Sequence, residues 1–222
     1  VRSRVDGTLA RVLFTEGQDV RQGQALAEID PEPYRVALAQ AQGSLQQIKA
    51  QLTSAERDLS RYRTLFEQDS VARQQLDSQE ALVQQYQGQV RISRGQVDDA
   101  RLQLDYARVT APIGGRVGLR LVDPGNLVQA ADATGLVRIT QLQPMHVLFT
   151  RPEDALPRLL ARLGSGERLS VDAYGRALRN RLAQGALRSL DNQIDVNSGT
   201  VRLKAEFANA DGALFPNQCV NI

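Results

Sequence analysis

The chain has 222 residues, 27 lysines and arginines against 25 acidic residues, a net charge of +2 and only 5% aromatic residues. The basic residues, all arginine except Lys49 and Lys204, are scattered among acidic ones with no basic block interleaved with aromatics, which argues against nucleic-acid binding. The single Cys219 and single His146 exclude an intramolecular disulfide and the usual zinc sites, and no apolar run reaches membrane-spanning length.

Residues 1–30 read as short strands with turn signals at Asp6-Gly7, Glu16-Gly17 and Gln22-Gly23, and Val12, Phe14, Val20, Leu26 and Ile29 form their apolar side. From Tyr34 the pattern changes. Apolar residues fall at Tyr34, Leu38, Ala41, Leu45, Ile48, Leu52, Ala55, Leu59, Tyr62 and Phe66, in alternating steps of four and three. The pattern resumes as Leu76, Gln79, Val83, Tyr86, Val90, Ser93, Val97, Ala100, Leu104 and Ala107, with two polar members. A period near 3.5 keeps one seam on each helix, which predicts a left-handed supercoil. The gap between Phe66 and Leu76 is too short for a parallel partner, so the two helices are expected to form an antiparallel hairpin. Asp30 is placed to cap the first helix, with Pro31 at its first position and Pro33 still in its first turn. The second helix must end before Pro112. Gly43, Gly88 and Gly95 lie inside the helices, each at a cost of up to about 1 kcal/mol.

After the helices, Thr110-Ala111-Pro112-Ile113-Gly114-Gly115-Arg116-Val117 returns to strand and turn. The two flanks match. Gly7 precedes Gly17 by ten residues, as Gly115 precedes Gly125, and Gln18-Asp19-Val20 has its counterpart in Asn126-Leu127-Val128. This is an internal repeat of two half-motifs of the lipoyl and biotinyl type, with the hairpin between them. A swinging-arm carrier of that type needs a lysine at a hairpin tip. Lys49 lies in the first long helix and Lys204 far downstream, so no cofactor is expected. Beyond Gln143, a strand at Met145–Thr150 precedes a helical pattern at Pro152–Leu163. Strand-like runs follow at Arg168–Tyr174, Arg179–Ala183, Gly199–Ala208 and Gln218–Ile222, suggesting a small β-barrel or sandwich. No phosphate loop, nucleophile elbow or metal-ligand cluster is present in the sequence, so no catalytic or metal residues are named. Asp191, Asp195 and Glu206 read as turn and surface residues, and His146 as structural.

The fold class expected is therefore α+β. A long antiparallel coiled-coil α-hairpin (31–107) is inserted between two halves of a lipoyl-like β-domain (1–30 and 108–141), followed by a small β-barrel with one helix (142–222). The start at Val1 and the end at Val220-Asn221-Ile222 suggest a fragment, with any targeting segment and membrane-proximal domain outside it.

This order resembles the periplasmic adaptors, or membrane fusion proteins, of RND-type tripartite multidrug efflux pumps. The strings that carry the resemblance are Asp30-Pro31 with Tyr34-Arg35, Thr110-Ala111-Pro112, Leu190-Asp191-Asn192-Gln193-Ile194-Asp195 and Ala213-Leu214-Phe215-Pro216-Asn217-Gln218. They are most similar to the MdtA/MuxA branch. The resemblance implies a non-enzymatic protein of the Gram-negative periplasm, attached to the inner membrane and assembling as a hexamer. Its implied partners are an inner-membrane RND transporter, in this branch two different subunits, and a TolC-like outer-membrane channel. It also implies channel docking by the hairpin tip, where Arg61 and Leu65 fit the family's pattern and Ala72 stands in place of its serine. Ser70 or Asp69 is then expected to cap the second helix. A second departure is Gly114, where relatives carry an acidic residue. The competing readings are an adaptor for an ABC exporter or type I secretion system, and a plain coiled-coil scaffold.

Overall fold

A computed structural model describes residues 1–175 and 180–222. From the amino end the chain forms β1 (Gly7–Val12), β2 (Asp19–Val20), β3 (Ala25–Ile29), α1 (Glu32–Glu67) and α2 (Arg73–Tyr106). Then come β4 (Arg108–Thr110), β5 (Gly115–Arg120), β6 (Leu127–Val128) and β7 (Val137–Thr140). The remainder is β8 (Met145–Pro152), a 3₁₀ turn at Glu153–Ala155, α3 (Leu156–Gly164), β9 (Ser170–Tyr174), β10 (Arg181–Asp195) and β11 (Thr200–Phe207). Two compact units result. One takes Val1–Phe14, Gln24–Thr110 and Arg120–Val137; the other takes Thr15–Gly23, Ala111–Leu119 and Arg138–Ile222. Neither is a single stretch of chain, because strands before the long helices pair with strands after them.

That pairing occurs twice in the same register. Gly7 and Thr8 of β1 face Val128 and Leu127 of β6, while Gly115 and Arg116 of β5 face Val20 and Asp19 of β2. The next rung repeats too: Leu9 N–H donates to the Asn126 carbonyl and Val117 N–H to the Gln18 carbonyl, both at 2.9 Å. Gly125 N–H returns a bond to the Leu9 carbonyl, and Gly17 N–H one to that of Val117. Leu9 and Val117, at matched positions, are each 1% exposed. Lack of room for a Cβ explains the glycine that heads each copy. A Cβ on Gly7 would lie 2.7 Å from Ile29 Cγ2, and one on Gly115 would lie 2.5 Å from the Thr140 carbonyl oxygen.

In the first unit the sheet has the order β4-β3-β1-β6. Its core is Val5, Leu9, Ala27, Ile29, Ala107 and Val109, joined at the helix root by Tyr34 and Tyr106. The root is stitched by the Ile29 N–H to the Ala107 carbonyl at 2.8 Å and the Asp30 N–H to the Thr8 carbonyl at 2.9 Å. Every seam position read from the sequence is buried or half-buried, including the polar Gln79 and Ser93. Val36, Ile92 and Leu102, off the seam, are exposed. The helices meet through Leu52, Ala55, Leu59, Leu76, Val83 and Tyr86. Gln79 Nε2 donates to the Ala55 carbonyl at 3.0 Å, and Arg63 pairs with Glu80 at 2.9 Å, so polar bonds as well as apolar contacts link the two helices.

Helix α1 begins one residue later than expected. Pro31 is its N-cap rather than its first helical residue, and Pro33 stands within the first two positions. Asp30 still serves the helix end, since its carboxylate accepts the Glu32 N–H at 3.1 Å.

In the second unit, β8-β11-β10-β9 form an antiparallel sheet over a core of Val171, Ala173, Ala205, Phe207 and Leu214. Two expectations are corrected here. Strand β10 runs on to Asp195 instead of ending at Ala183, and Arg179, its expected start, lies outside the described residues. Register shifts at Leu187/Ser189 and Leu190/Ile194 interrupt its alternation, which hides the strand from a period-two pattern. Among the described residues Gln218–Ile222 forms no strand, and its only β pairing is the bridge between Tyr174 and Asn221. Asn209, 4% exposed, organises the turn after β11. Its amide nitrogen donates to the Leu142 and Leu214 carbonyls at 3.0 Å, and its oxygen accepts the Leu214 N–H at 2.9 Å.

Candidate functional site

The free end of the helix pair holds the residues singled out from the sequence. Arg61 and Leu65 lie four apart on α1 and therefore share a face. The seam is taken by half-buried Tyr62 and Phe66, which leaves Leu65 39% exposed. Arg61 reaches back to Asp58 at 3.2 Å but keeps 76% of its side chain in solvent. Such an exposed pair is worth little, so the guanidinium is free to exchange partners.

The turn itself is a Schellman motif. The Ser70 N–H bonds to the Leu65 carbonyl at 2.9 Å and the Asp69 N–H to the Phe66 carbonyl at 3.0 Å. Asp69, at φ +55°, occupies the left-handed position where glycine is usual. This corrects the expected cap: Asp69 and Ser70 close the first helix and do not cap the second. Ser70 Oγ bonds to the Gln68 carbonyl. Exposed Ala72 is the N-cap of α2, in an extended conformation (ψ 146°) with no side-chain hydrogen bond. The structure thus places Arg61 and Leu65 on one helical face and Ala72 across the turn, at the head of the next helix.

Elsewhere the polar residues have local tasks. His146 Nε2 stands 3.4 Å from Glu206, which also faces Arg188 at 3.7 Å. Asp195 accepts the N–H groups of Asn197 and Ser198, which hold its carboxyl below the ordinary value. Among the described residues no three His, Cys, Asp or Glu side chains gather as metal ligands, and no helix is long and apolar enough to cross a membrane. An open groove of about 860 Å³ separates α3 from its sheet, lined by Phe149, Leu159, Leu187 and Leu203 with Arg151 and Arg158.

The fold is that of a long helix pair rooted in a β domain, with a second unit built on an antiparallel sheet. The family models agree: residues 1–140 match the barrel-sandwich hybrid domain of RND membrane fusion proteins, and residues 144–222 match the beta-barrel domain of the same proteins. The chain belongs to the RND membrane fusion protein family. It is 51% identical over 221 residues to the multidrug resistance protein MdtA of Escherichia coli O157:H7 and to that of Shigella boydii serotype 18. The match covers 100% of this chain and 53% of each relative, so the chain spans about half their length. Among solved structures, the membrane fusion protein Spr0693 from Streptococcus pneumoniae R6 shares the fold, with TM-score 0.66 and 16% identity over 90% of this chain and 80% of that one.

Proposed function

We propose that this chain is the rod-and-scaffold part of a periplasmic adaptor in a proton-driven RND multidrug efflux pump. In this reading the helix pair is a coiled-coil rod inserted in a lipoyl-like domain. It reaches from an inner-membrane RND transporter, with two different pump subunits, to a TolC-like outer-membrane channel. Six copies side by side form a funnel whose wall is the polar outer face of the helices. The adaptor carries no cofactor and does no chemistry; the pump supplies the energy.

The observation that carries the reading is the exposed Leu65 beside solvent-held Arg61 at the free end of a 36-residue helix. At about 1.5 Å per residue that helix spans roughly 54 Å. An exposed apolar side chain beside an arginine suits docking between helix ends, with carbonyls or acidic groups accepting the arginine and leucine filling a groove. Similarity to MdtA and both RND domain matches favour the RND engine over an ATP-driven one.

The test is made in the native host. Leu65→Ser and Arg61→Asp should each abolish drug resistance with expression and helical content unchanged. Normal pumping by Leu65→Ser refutes the tip assignment. Crosslinking from the β domains should recover an RND pump, and recovery of an ATP-binding exporter in its place overturns the choice of engine.

A further inference from the structure

Segment 1–6 reaches both helices at their root. Tyr34, in the first turn of α1, donates its hydroxyl to the Asp6 carbonyl at 2.5 Å. Tyr106, the last residue of α2, lies under the guanidinium of Arg4, whose Cζ is 4.9 Å from the ring centroid. One contact is thus made to each helix, and both end on the same segment. That segment is itself anchored. Buried Ser3 accepts the Val5 N–H at 3.1 Å, the Asp6 carboxylate accepts the Ala130 N–H at 2.7 Å, and the Val1 carbonyl accepts the Leu136 N–H at 2.9 Å. Burial, with the charge of Asp6, raises the Tyr34 phenol above its ordinary value, so its proton stays in place to be donated.

We propose that Tyr34 and Tyr106 are positioning residues that set the direction of the helix pair by clamping its two root ends to segment 1–6. The functional half of this proposal rests on the adaptor reading, in which the rod's direction decides whether the tip meets its partner. Leverage makes direction matter. On a helix of roughly 54 Å, a tilt of about 5° at the root carries the tip about 5 Å. That is more than the reach of a hydrogen bond. The backbone stitches at Ile29 and Asp30 fix where the helices start, while the tyrosines act one on each helix and so resist tilting of the pair.

Full-length protein with Cys219→Ser and spin labels at Gln68→Cys and Asp132→Cys reads the tip-to-sheet distance by pulsed electron resonance. Tyr34→Phe removes only the hydroxyl, and Arg4→Met removes only the cation from Tyr106. Each should broaden the distribution, the double variant most, by the part of the tip's displacement that falls along the line between the labels, with the melting temperature and helical content of the parent. Arg4→Lys, which keeps a cation over the ring, should restore the narrow distribution. An unchanged distribution in the double variant overturns the clamp. Broadening that Arg4→Lys does not rescue, together with a lowered melting temperature, makes the contacts merely structural and also overturns it. Drug resistance of the same variants tests the adaptor reading separately. Broadening with full resistance supports the clamp and refutes its part in docking.

Discussion

Three glycines inside the long helices make a prediction whose sign is unusual, since substitution should stabilise. A Cβ built on Gly43 or Gly95 meets nothing within 4 Å, and one on Gly88 meets only the end of the Arg91 side chain at 3.8 Å. None of the three has a φ in the left-handed region. Packing therefore gives no reason for glycine, and alanine lowers the entropy of the unfolded chain without strain. Each Gly→Ala change in a helix interior is worth about 0.8–1 kcal/mol, so the triple variant should gain about 2 kcal/mol after allowing for incomplete additivity. For domains of this size that corresponds to a rise of about 4–8 °C in the melting of the helical signal. Thermal unfolding by far-ultraviolet circular dichroism measures it. A melting point equal to or below the parent's would refute the reasoning and show that these positions need glycine within the single chain. A stabilised variant that no longer confers resistance would instead place a close neighbour against them in the assembled pump.

Asn209→Ala strands the Leu142 and Leu214 carbonyls and the Leu214 N–H together, and at about 1–3 kcal/mol per buried unsatisfied group it should loosen the β11 turn by several kcal/mol. Amide exchange of residues 205–215 should rise steeply, with the long helices unaffected. Asp195 has its folded pKa lowered chiefly by the Asn197 and Ser198 N–H groups, so its contribution is present above the ordinary value of 3.8 and lost as pH falls through the lower folded value. Exchange at Asn197 and Ser198 should therefore stay slow at pH 5 and quicken only in strong acid, while Asp195→Asn should quicken it at all pH values. Ala72→Ser supplies the missing cap of α2 and should stabilise the helix pair by about 0.5–2 kcal/mol, read from the same melting curves. In the host it should leave resistance intact or strengthen it.

What the sequence disclosed depended on whether one residue type recorded one constraint. The helix seam was legible position by position because a 3.5 period demands burial at each step, even at Gln79 and Ser93, whose types alone argue against it. The repeat was legible from Gly7 and Gly115, since a Cβ at either place would crowd a neighbour, the Ile29 side chain at the first and the Thr140 carbonyl at the second. The tip residues were legible only as members of a spacing. Exposure of Leu65 followed once Tyr62 and Phe66 were assigned to the seam, but the Schellman turn did not, because Asp69 takes the left-handed position without the glycine that signals it. Asn209 sits in an Asn-Ala-Asp-Gly string that reads as a solvated turn, and nothing in that string shows three bonds drawn inward. Strand β10 was hidden by its own register shifts. Gly185 lies past the expected strand end at Ala183, and a Cβ there would come 2.3 Å from the Glu206 carbonyl oxygen, a close strand contact that no neighbouring residue type records.

The cross-helix bond from Gln79 to the Ala55 carbonyl constrains how such a protein can change its size. Because the seam returns every seven residues, seven residues added to each helix at once lengthen the pair without turning either seam. Each step is then about 10 Å of reach. An insertion in one helix alone would slide Gln79 away from its acceptor and turn polar residues into the seam. If the pair serves as the proposed envelope-spanning rod, its reach changes most simply in steps of that size.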